Sequence, residues 1–179
     1  MFGRSTWAIL ALAVLAAALG GWLQHRSRLA HAPDGVPAIA IGAPAPDVIL
    51  SDTVGGMHRL SDYRGHRVLV NFWASWCGPC LDEMPALDRA ATEHPQAIVL
   101  GIAMDEPGRV RTFLRAHPVA YPVWLGSLAP PSTSLRLGNT SEVLPYSVLL
   151  DRQGRVLASR RGPLDADTLK RWLDPAGPG

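Results

Sequence analysis

The two cysteines of this 179-residue chain lie three positions apart, in the segment Trp76-Cys77-Gly78-Pro79-Cys80. The segment before it, 68–73, is apolar and rich in residues that favour β-structure, as in a buried parallel strand. The segment after it, 78–93, has apolar residues at helical intervals. The cysteine pair is therefore expected where a strand turns into a helix, with Cys77 near the helix N-terminus.

Two thiols at this spacing can close a small ring, so the pair can cycle between a dithiol and a disulfide. At a helix N-terminus the unpaired backbone amides and the macrodipole favour a thiolate. The pKa of a free cysteine is about 8.5, and Cys-x-x-Cys sites commonly lower it to about 7 or below. We therefore assign Cys77 as the nucleophile and Cys80, one turn deeper, as the resolving thiol.

Two other uses of a cysteine pair fit the sequence less well. A structural zinc site needs four ligands, but the chain has no second cysteine pair, and its six histidines show no paired ligand spacing. A purely structural disulfide would close a loop too short to restrict the unfolded chain much. We expect redox chemistry at the pair, with no metal and no other cofactor.

The N-terminal part of the chain has the composition of a membrane segment. Residues 7–23 are an unbroken run of apolar residues and glycine, which as a helix would span about 26 Å, close to the hydrocarbon thickness of about 30 Å. A cleaved secretory signal ending at 30–32 (Ala-His-Ala) is one interpretation. That site lies well beyond the apolar run and behind two arginines, so the sequence favours an uncleaved signal anchor over residues 1–28.

The charge distribution separates the same two parts. Of the 17 basic residues three precede residue 34, whereas all 15 acidic residues lie at position 34 or beyond, which leaves 14 basic and 15 acidic residues in that part of the chain. A remainder this close to neutral does not indicate nucleic-acid binding. Residues 29–41, which include proline, alanine and glycine, are expected to be a linker.

The rest of the sequence predicts an α/β fold. The order of strands and helices indicates a central mixed β-sheet with helices on its faces. Residues 118–139 show little periodicity and are expected to form a loop-rich connection. Besides the strand and helix around the cysteines, the expected elements are a hairpin at 47–51 and 57–60, a strand at 97–103, a helix at 107–117, a hairpin at 146–150 and 155–159, and a last helix capped by Asp165 and ending at Leu173.

The sequence Val-Asn-Phe-Trp-Ala-Ser-Trp-Cys-Gly-Pro-Cys at 70–80 resembles the active-site segment of the thioredoxin superfamily. The resemblance extends over about residues 42–175. The N-terminal apolar segment, the first hairpin and Glu-Met-Pro at 83–85 further resemble the TlpA/ResA-type membrane-anchored thiol:disulfide oxidoreductases. This resemblance implies a thioredoxin-like domain at 42–175 with an added N-terminal β-hairpin. It also implies an exported domain, held on the periplasmic side of the cytoplasmic membrane by a single-pass anchor.

The resemblance also implies which residues form the substrate-binding surface. Leu144-Pro145 falls where the superfamily has its cis-proline, packed against the active-site sulfurs. A cis bond there would let the backbone of Leu144 offer hydrogen bonds to a bound substrate strand. Together with Trp76, Gly78 and Pro79 beside the nucleophile, these residues are expected to contact the substrate.

The resemblance also assigns a role to one acidic residue. Asn71 stands where thioredoxins proper have a buried aspartate that carries the proton of the resolving thiol, and an amide has no such proton. Glu83 lies three residues after Cys80, on the same helical face, and matches an acid at this spacing in the TlpA/ResA group. Burial would raise its pKa and let it act as a base near neutrality; a solvated surface glutamate is the alternative.

The resemblance implies a disulfide reductase that takes electrons from a membrane thiol–disulfide donor. Nothing in the sequence demands more than a monomer. Gly78-Pro79 is the dipeptide of the reducing thioredoxins, whose reduction potential is about −270 mV. By family, its substrates would be disulfides of exported proteins, at the haem site of apocytochrome c or at copper-site cysteines. Three alternatives remain: an oxidase that installs disulfides, a peroxiredoxin in which Ser75 replaces the usual threonine, and a copper chaperone, for which the cysteine spacing is one residue short.

Overall fold

Seven strands form one mixed β-sheet at the centre of the protein. They are β1 (Ile49–Asp52), β2 (Met57–Arg59), β3 (Arg67–Trp73), β4 (Ala97–Ala103), β5 (Val123–Leu125), β6 (Tyr146–Leu150) and β7 (Val156–Arg161). Their order across the sheet is β2-β1-β5-β4-β3-β6-β7. The three central strands β3, β4 and β5 run parallel, whereas β1 with β2, β1 with β5, β3 with β6 and β6 with β7 pair antiparallel.

The computed structural model describes residues 39–174 together with Gly20, and residues 39–174 belong to one compact unit. Apart from Gly20, the predicted signal anchor at 1–28 lies outside the described residues, as does the linker up to residue 38. No helix in the described part of the chain combines the length and the apolar character needed to cross a lipid bilayer.

A 3-10 helix spans Leu60–Tyr63, and four α-helices accompany the sheet within residues 39–174. They are α1 (Gly78–Glu93), α2 (Pro107–Ala116), α3 (Thr133–Arg136) and α4 (Ala166–Leu173). Asp165 caps α4 as predicted, because its carboxylate accepts a hydrogen bond from the backbone N–H of Thr168 over 2.7 Å. Proline in the first turn of α1 and of α2 suits a position where no backbone donor is needed.

Alternating residues of the central strands divide the core into two layers. Leu69 of β3 belongs to the layer formed with α1, α2 and α4, whereas Val70 belongs to the opposite layer, which includes Leu60 and Leu137. This alternation follows from the two-residue period of a strand. Each large apolar side chain buried in these layers stabilises the folded state by about 1.5–3 kcal/mol relative to an exposed one. The sheet is therefore covered on both faces, as the apolar runs at 68–73 and 97–103 predicted.

The expected α/β architecture is confirmed, and residues 118–139 are loop-rich as expected, but they also hold two short elements that the sequence did not predict. That segment contributes β5 and the short helix α3, and β5 pairs with β4 on one side and β1 on the other. A three-residue strand is too short to show the alternation of apolar and polar residues that marks a strand in a sequence. Its extended conformation is imposed by pairing with the two neighbouring strands. Joining β5 places the first hairpin in the same sheet as the central strands.

Candidate active site

The cysteine pair lies at the junction of β3 and α1. Cys77 and Cys80 are joined by a disulfide, and Cys77 is the N-cap residue of α1. The carbonyl oxygen of Cys77 accepts hydrogen bonds from the backbone N–H groups of Cys80 (3.0 Å) and Leu81 (3.1 Å). Cys77 is 5% exposed and Cys80 is 0% exposed. Both cysteines are therefore buried, and Cys77 alone of the two keeps a small exposed fraction.

A buried carboxylate holds the loop that leads from β3 to Cys77. Asp105 Oδ2 accepts hydrogen bonds from the backbone N–H of Ser75 over 3.1 Å and from the Ser75 hydroxyl, and Oδ1 accepts one from Glu106 N over 2.8 Å. The sequence analysis missed Asp105. Its position just beyond the carboxyl end of a strand parallel to β3 is the signal that would have found it, since such strand ends meet at one edge of the sheet.

Glu83 lies inside the protein, in the buried stripe of α1 that also contains Cys80. It is 4% exposed, so the alternative of a solvated surface glutamate is wrong. Its Oε1 accepts a hydrogen bond from Asn71 Nδ2 (2.8 Å), and its Oε2 accepts one from Leu164 N (2.7 Å). Burial raises the pKa of Glu83, while these two donors and the Arg160 guanidinium act in the opposite direction.

Asn71 connects Glu83 to the sheet. Besides its bond to Glu83, Asn71 Nδ2 donates to Ser147 Oγ over 3.0 Å. Asn71 stands opposite Ser147 of β6 and opposite Gly101 of β4. A Cβ on Gly101 would come within 3.0 Å of the Tyr121 ring and 3.2 Å of Trp73 Nε1. The glycine therefore leaves space for these two aromatic side chains next to Asn71. The polar groups therefore sit beneath α1, on the face of the sheet that also contacts the cysteines.

The Leu144–Pro145 bond is cis, as the resemblance implied. Tyr146, the next residue, pairs with Phe72 near the end of β3 that leads to Cys77. The cis bond therefore lies at the same edge of the sheet as the cysteine loop. Leu144 is half-buried and packs against the core cluster that includes both cysteines.

Two side chains that the sequence analysis missed fix the loop before this proline. Asn139 is fully buried, and its Nδ2 donates to the Val143 carbonyl over 3.0 Å. Glu142 has φ 48°, a left-handed conformation that costs a non-glycine residue about 1 kcal/mol or more. Its carboxylate accepts a hydrogen bond from the Ser132 hydroxyl over 2.6 Å. No local sequence signal marks these contacts, because the partners belong to an irregular segment.

The remaining predicted substrate-contacting residues are on the surface. Trp76, directly before Cys77, is 65% exposed, and Gly78 and Pro79 are exposed as well. Trp73, only three positions earlier, is fully buried. An exposed indole beside a reactive sulfur offers apolar area to a partner rather than to the core.

Residues 41–159 of the chain match the AhpC/TSA family. The chain belongs to this family. The thiol-disulfide oxidoreductase ResA of Geobacillus thermodenitrificans is a similar protein, 31% identical over 144 residues, which cover 79% of this chain and 80% of ResA. The sporulation thiol-disulfide oxidoreductase A of Bacillus subtilis is 26% identical over 151 residues, 81% of this chain and 86% of that protein.

A solved structure supports the same assignment. The exposed lipoprotein thioredoxin Etrx1 of Streptococcus pneumoniae superposes with a TM-score of 0.61 at 26% identity, covering 72% of this chain and 98% of Etrx1. The fold, the family and the buried cysteine pair agree. The protein is a thiol:disulfide oxidoreductase of the thioredoxin fold.

Proposed function

We propose that this protein reduces disulfides of exported proteins through attack by Cys77 and resolution by Cys80. The observation that carries the proposal is the order of three groups along α1. Cys77, 5% exposed, lies at the helix N-terminus between the exposed residues Trp76 and Gly78, whereas Cys80 is fully buried and Glu83, 4% exposed, follows on the same helical face. Such an arrangement lets an external disulfide reach one sulfur only, while a carboxylate is kept close to the other.

In the first step the Cys77 thiolate attacks one sulfur of the substrate disulfide. A Cys77–substrate disulfide forms, and the second substrate sulfur leaves as a thiolate that takes a proton from solvent. In the second step Cys80 loses its proton and attacks the Cys77 sulfur. The Cys77–Cys80 disulfide forms, the first substrate sulfur leaves as a thiolate, and two electrons have passed from the protein to the substrate.

Glu83 supports the second step as the base for Cys80. The two residues are three positions apart on α1, which places them on one helical face. A buried thiol gives up its proton reluctantly, so the acceptor must have a raised proton affinity. Burial supplies it, because the pKa of Glu83 is raised above the usual range of a glutamate.

The surface around Cys77 suits a protein substrate. Trp76, Gly78 and Pro79 present an exposed rim, and the cis peptide Leu144–Pro145 lies at the same edge of the sheet. In this proposal the Leu144 backbone pairs with an extended substrate segment while the indole covers it. Leu144 is bulkier than the valine or threonine usual in the superfamily, and this difference bears on substrate preference.

Two features favour reduction over oxidation and over peroxide chemistry. Gly78-Pro79 is the dipeptide found between the cysteines of reducing thioredoxins, which have low reduction potentials. Ser75, the substitute for a peroxiredoxin threonine, uses its hydroxyl to donate to Asp105. That hydroxyl is therefore engaged in holding the loop.

We further propose that residues 1–28 anchor the domain at 42–175 to the cytoplasmic membrane, through the linker at 29–41, with the active site on the periplasmic side. The apolar run at 7–23 supports this proposal, and so does the similarity to Etrx1, which is described as an exposed lipoprotein. In that position a membrane thiol–disulfide protein would supply electrons. Disulfides at haem or copper sites of exported proteins would be the substrates.

A trapping experiment in the full chain tests the reductase proposal. With Cys80→Ser, the second step is blocked, so mixed disulfides between Cys77 and substrate proteins are expected to accumulate and to disappear on addition of dithiothreitol. Cys77→Ser is the matched control and is expected to trap none. If Cys80→Ser traps no partner, or if both variants trap the same ones, the proposed roles of the two cysteines are wrong.

A further inference from the structure

The hydrogen bonds around Glu83 fit only one of its two protonation states. Oε1 faces the amide nitrogen of Asn71, and Oε2 faces the backbone N–H of Leu164. Both neighbours donate, and neither of these two groups can accept. The site as seen therefore holds an ionised carboxylate, whereas a Glu83 that has taken the proton of Cys80 needs an acceptor.

Asn71 has one hydrogen-bond acceptor, its Oδ1, that is not used within the described part of the chain. Its Nδ2 uses both hydrogens, one toward Glu83 and one toward Ser147 Oγ. Within residues 39–174 its Oδ1 has no hydrogen-bond partner although the residue is fully buried. Leaving a buried polar atom unpaired destabilises the folded state. Such an atom is uncommon in a folded protein and calls for a reason.

A half-turn of the Asn71 amide exchanges the positions of Nδ2 and Oδ1. After the turn, Oδ1 faces Glu83 Oε1 and Ser147 Oγ. A protonated Glu83 can then donate to Oδ1, and the Ser147 hydroxyl can donate to its second lone pair. The single amide thus offers a donor to a carboxylate in one orientation and an acceptor to a carboxylic acid in the other. In the second orientation Nδ2, rather than Oδ1, lies where the described residues offer no hydrogen-bond partner.

We propose that Asn71 is a positioning residue that holds Glu83 in both protonation states by turning its side-chain amide. This inference rests on the proposed role of Glu83 as the base for Cys80. An aspartate at position 71 would not serve in this way, because two carboxylates within hydrogen-bond distance share one proton. The amide instead exchanges a donor for an acceptor without a change of charge.

The other charged and titratable groups around Glu83 belong to three elements. Cys80 shares its face of α1, the Arg160 guanidinium of β7 attracts its negative charge, and Tyr121, just before β5, has its pKa raised by burial and by the charges of Asp88 and Glu83. Tyr121 thus stays neutral below strongly alkaline pH. In the disulfide form Cys80 has no thiol proton, so Glu83 is the group whose protonation is followed here.

An NMR titration of the full chain in its disulfide form tests the proposal directly. The side-chain amide of Asn71 is observed by ¹⁵N and ¹H shifts while the Glu83 carboxyl is followed by ¹³C. Both signals are expected to change together, with one midpoint above the ordinary range of glutamate, and the Asn71 change is expected to vanish in Glu83→Gln. An Asn71 amide that stays constant while Glu83 titrates would overturn the proposal.

Kinetics with three variants give a second readout. The rate at which the reduced protein reduces glutathione disulfide is measured against pH. Asn71→Leu removes one of the two donors to Glu83. A hydrogen bond to a charged group is worth about 1.5–3 kcal/mol. The pH at the midpoint of the rate profile, which reports the protonation of Glu83, is therefore expected to rise by about one to two pH units. Asn71→Asp is expected to give two apparent steps, because coupled carboxylates titrate as a pair.

Ser147→Ala is the matched control, since it removes a partner of Asn71 but leaves the contact between Asn71 and Glu83. Its midpoint is expected to stay within a few tenths of a pH unit of the wild type. A shift as large as that of Asn71→Leu would contradict the proposal. The NMR titration needs no substitution at Asn71, and its result does not depend on whether Cys80→Ser traps substrates, so failure of this inference and failure of the reductase proposal can be told apart.

Discussion

The backbone N–H of Leu164 donates a hydrogen bond to Glu83 Oε2 over 2.7 Å, across 81 positions of the sequence. The bond joins the helix that carries Cys80 to the segment between β7 and α4. The Leu164 N–H is one of the two hydrogen-bond donors that lower the pKa of Glu83, against the rise caused by burial. The proton affinity of Glu83 is therefore controlled in part by a backbone group outside the cysteine motif.

Removing this backbone donor is expected to change the pH dependence of the reaction. Leu164→Pro lacks the N–H, so the pKa of Glu83 is expected to rise further, and the pH midpoint of glutathione disulfide reduction to rise by about one unit. Leu164→Ala keeps the N–H and is the control. It is expected to lose about 2–5 kcal/mol of stability with an unchanged midpoint. Equal midpoints in both variants would show that the bond does not set the pKa of Glu83.

The raised pKa of Glu83 also predicts how stability depends on pH. Because the folded state holds this proton more tightly than the unfolded state, its stabilising contribution is present below the ordinary glutamate pKa. It is lost as the pH rises through the folded pKa. Glu83→Gln is expected to remove this decline. The variant should therefore gain stability relative to the wild type at pH 8 but not at pH 4.

Urea unfolding of the disulfide form at both pH values measures this difference. Asp82→Asn, on the exposed side of the same helix turn, is the matched control and should show no such gain. A Glu83→Gln variant that loses stability equally at pH 4 and pH 8 would indicate that the folded pKa of Glu83 is not raised.

Asp105 is expected to position the loop that carries Cys77. Asp105→Ala leaves the N–H and hydroxyl of Ser75 without this partner, which is expected to cost about 1–3 kcal/mol. The rate of glutathione disulfide reduction should fall because the Cys77 loop is less well held. Asp105→Asn keeps an acceptor for one of these bonds and should show a smaller effect on both quantities. Wild-type rates in Asp105→Ala would mean that the loop is held by other contacts.

Trp76 is expected to act on protein substrates only. Because its side chain is largely exposed, Trp76→Ala should change the free energy of unfolding by no more than about 0.5 kcal/mol. The KM for a protein disulfide such as insulin should rise severalfold, while the rate with glutathione disulfide stays close to that of the wild type. Val54, 90% exposed at the tip of the first hairpin, provides the control Val54→Ala. Parallel losses with both substrates would assign Trp76 to the chemical step instead.

The sequence predicted the parts of the site that obey local rules. The apolar runs and the helical spacing after Cys77 located the strand, the helix and the cysteine pair between them. The three-residue spacing from Cys80 to Glu83 placed both on one helical face. The cis bond at Pro145 came from the family resemblance, since no local rule distinguishes it from an ordinary trans bond.

The features that the sequence did not reveal depend on contacts between distant segments. Three-residue β5 has its conformation imposed by β1 and β4, so no period marks it. Asp105 and Asn139 act through backbone partners in loops. The Glu83–Leu164 bond joins two segments whose proximity follows only from the assembled sheet and helices.

The reduction potential of the Cys77–Cys80 pair tests the central claim most directly. It is measured by equilibrating the full chain against glutathione or dithiothreitol buffers and quantifying the dithiol and disulfide forms. A reductase is expected to give a value near or below about −230 mV, in the range of thioredoxins and glutaredoxins. A value near about −120 mV, that of a dedicated oxidant, would contradict the account and make the protein a donor of disulfides.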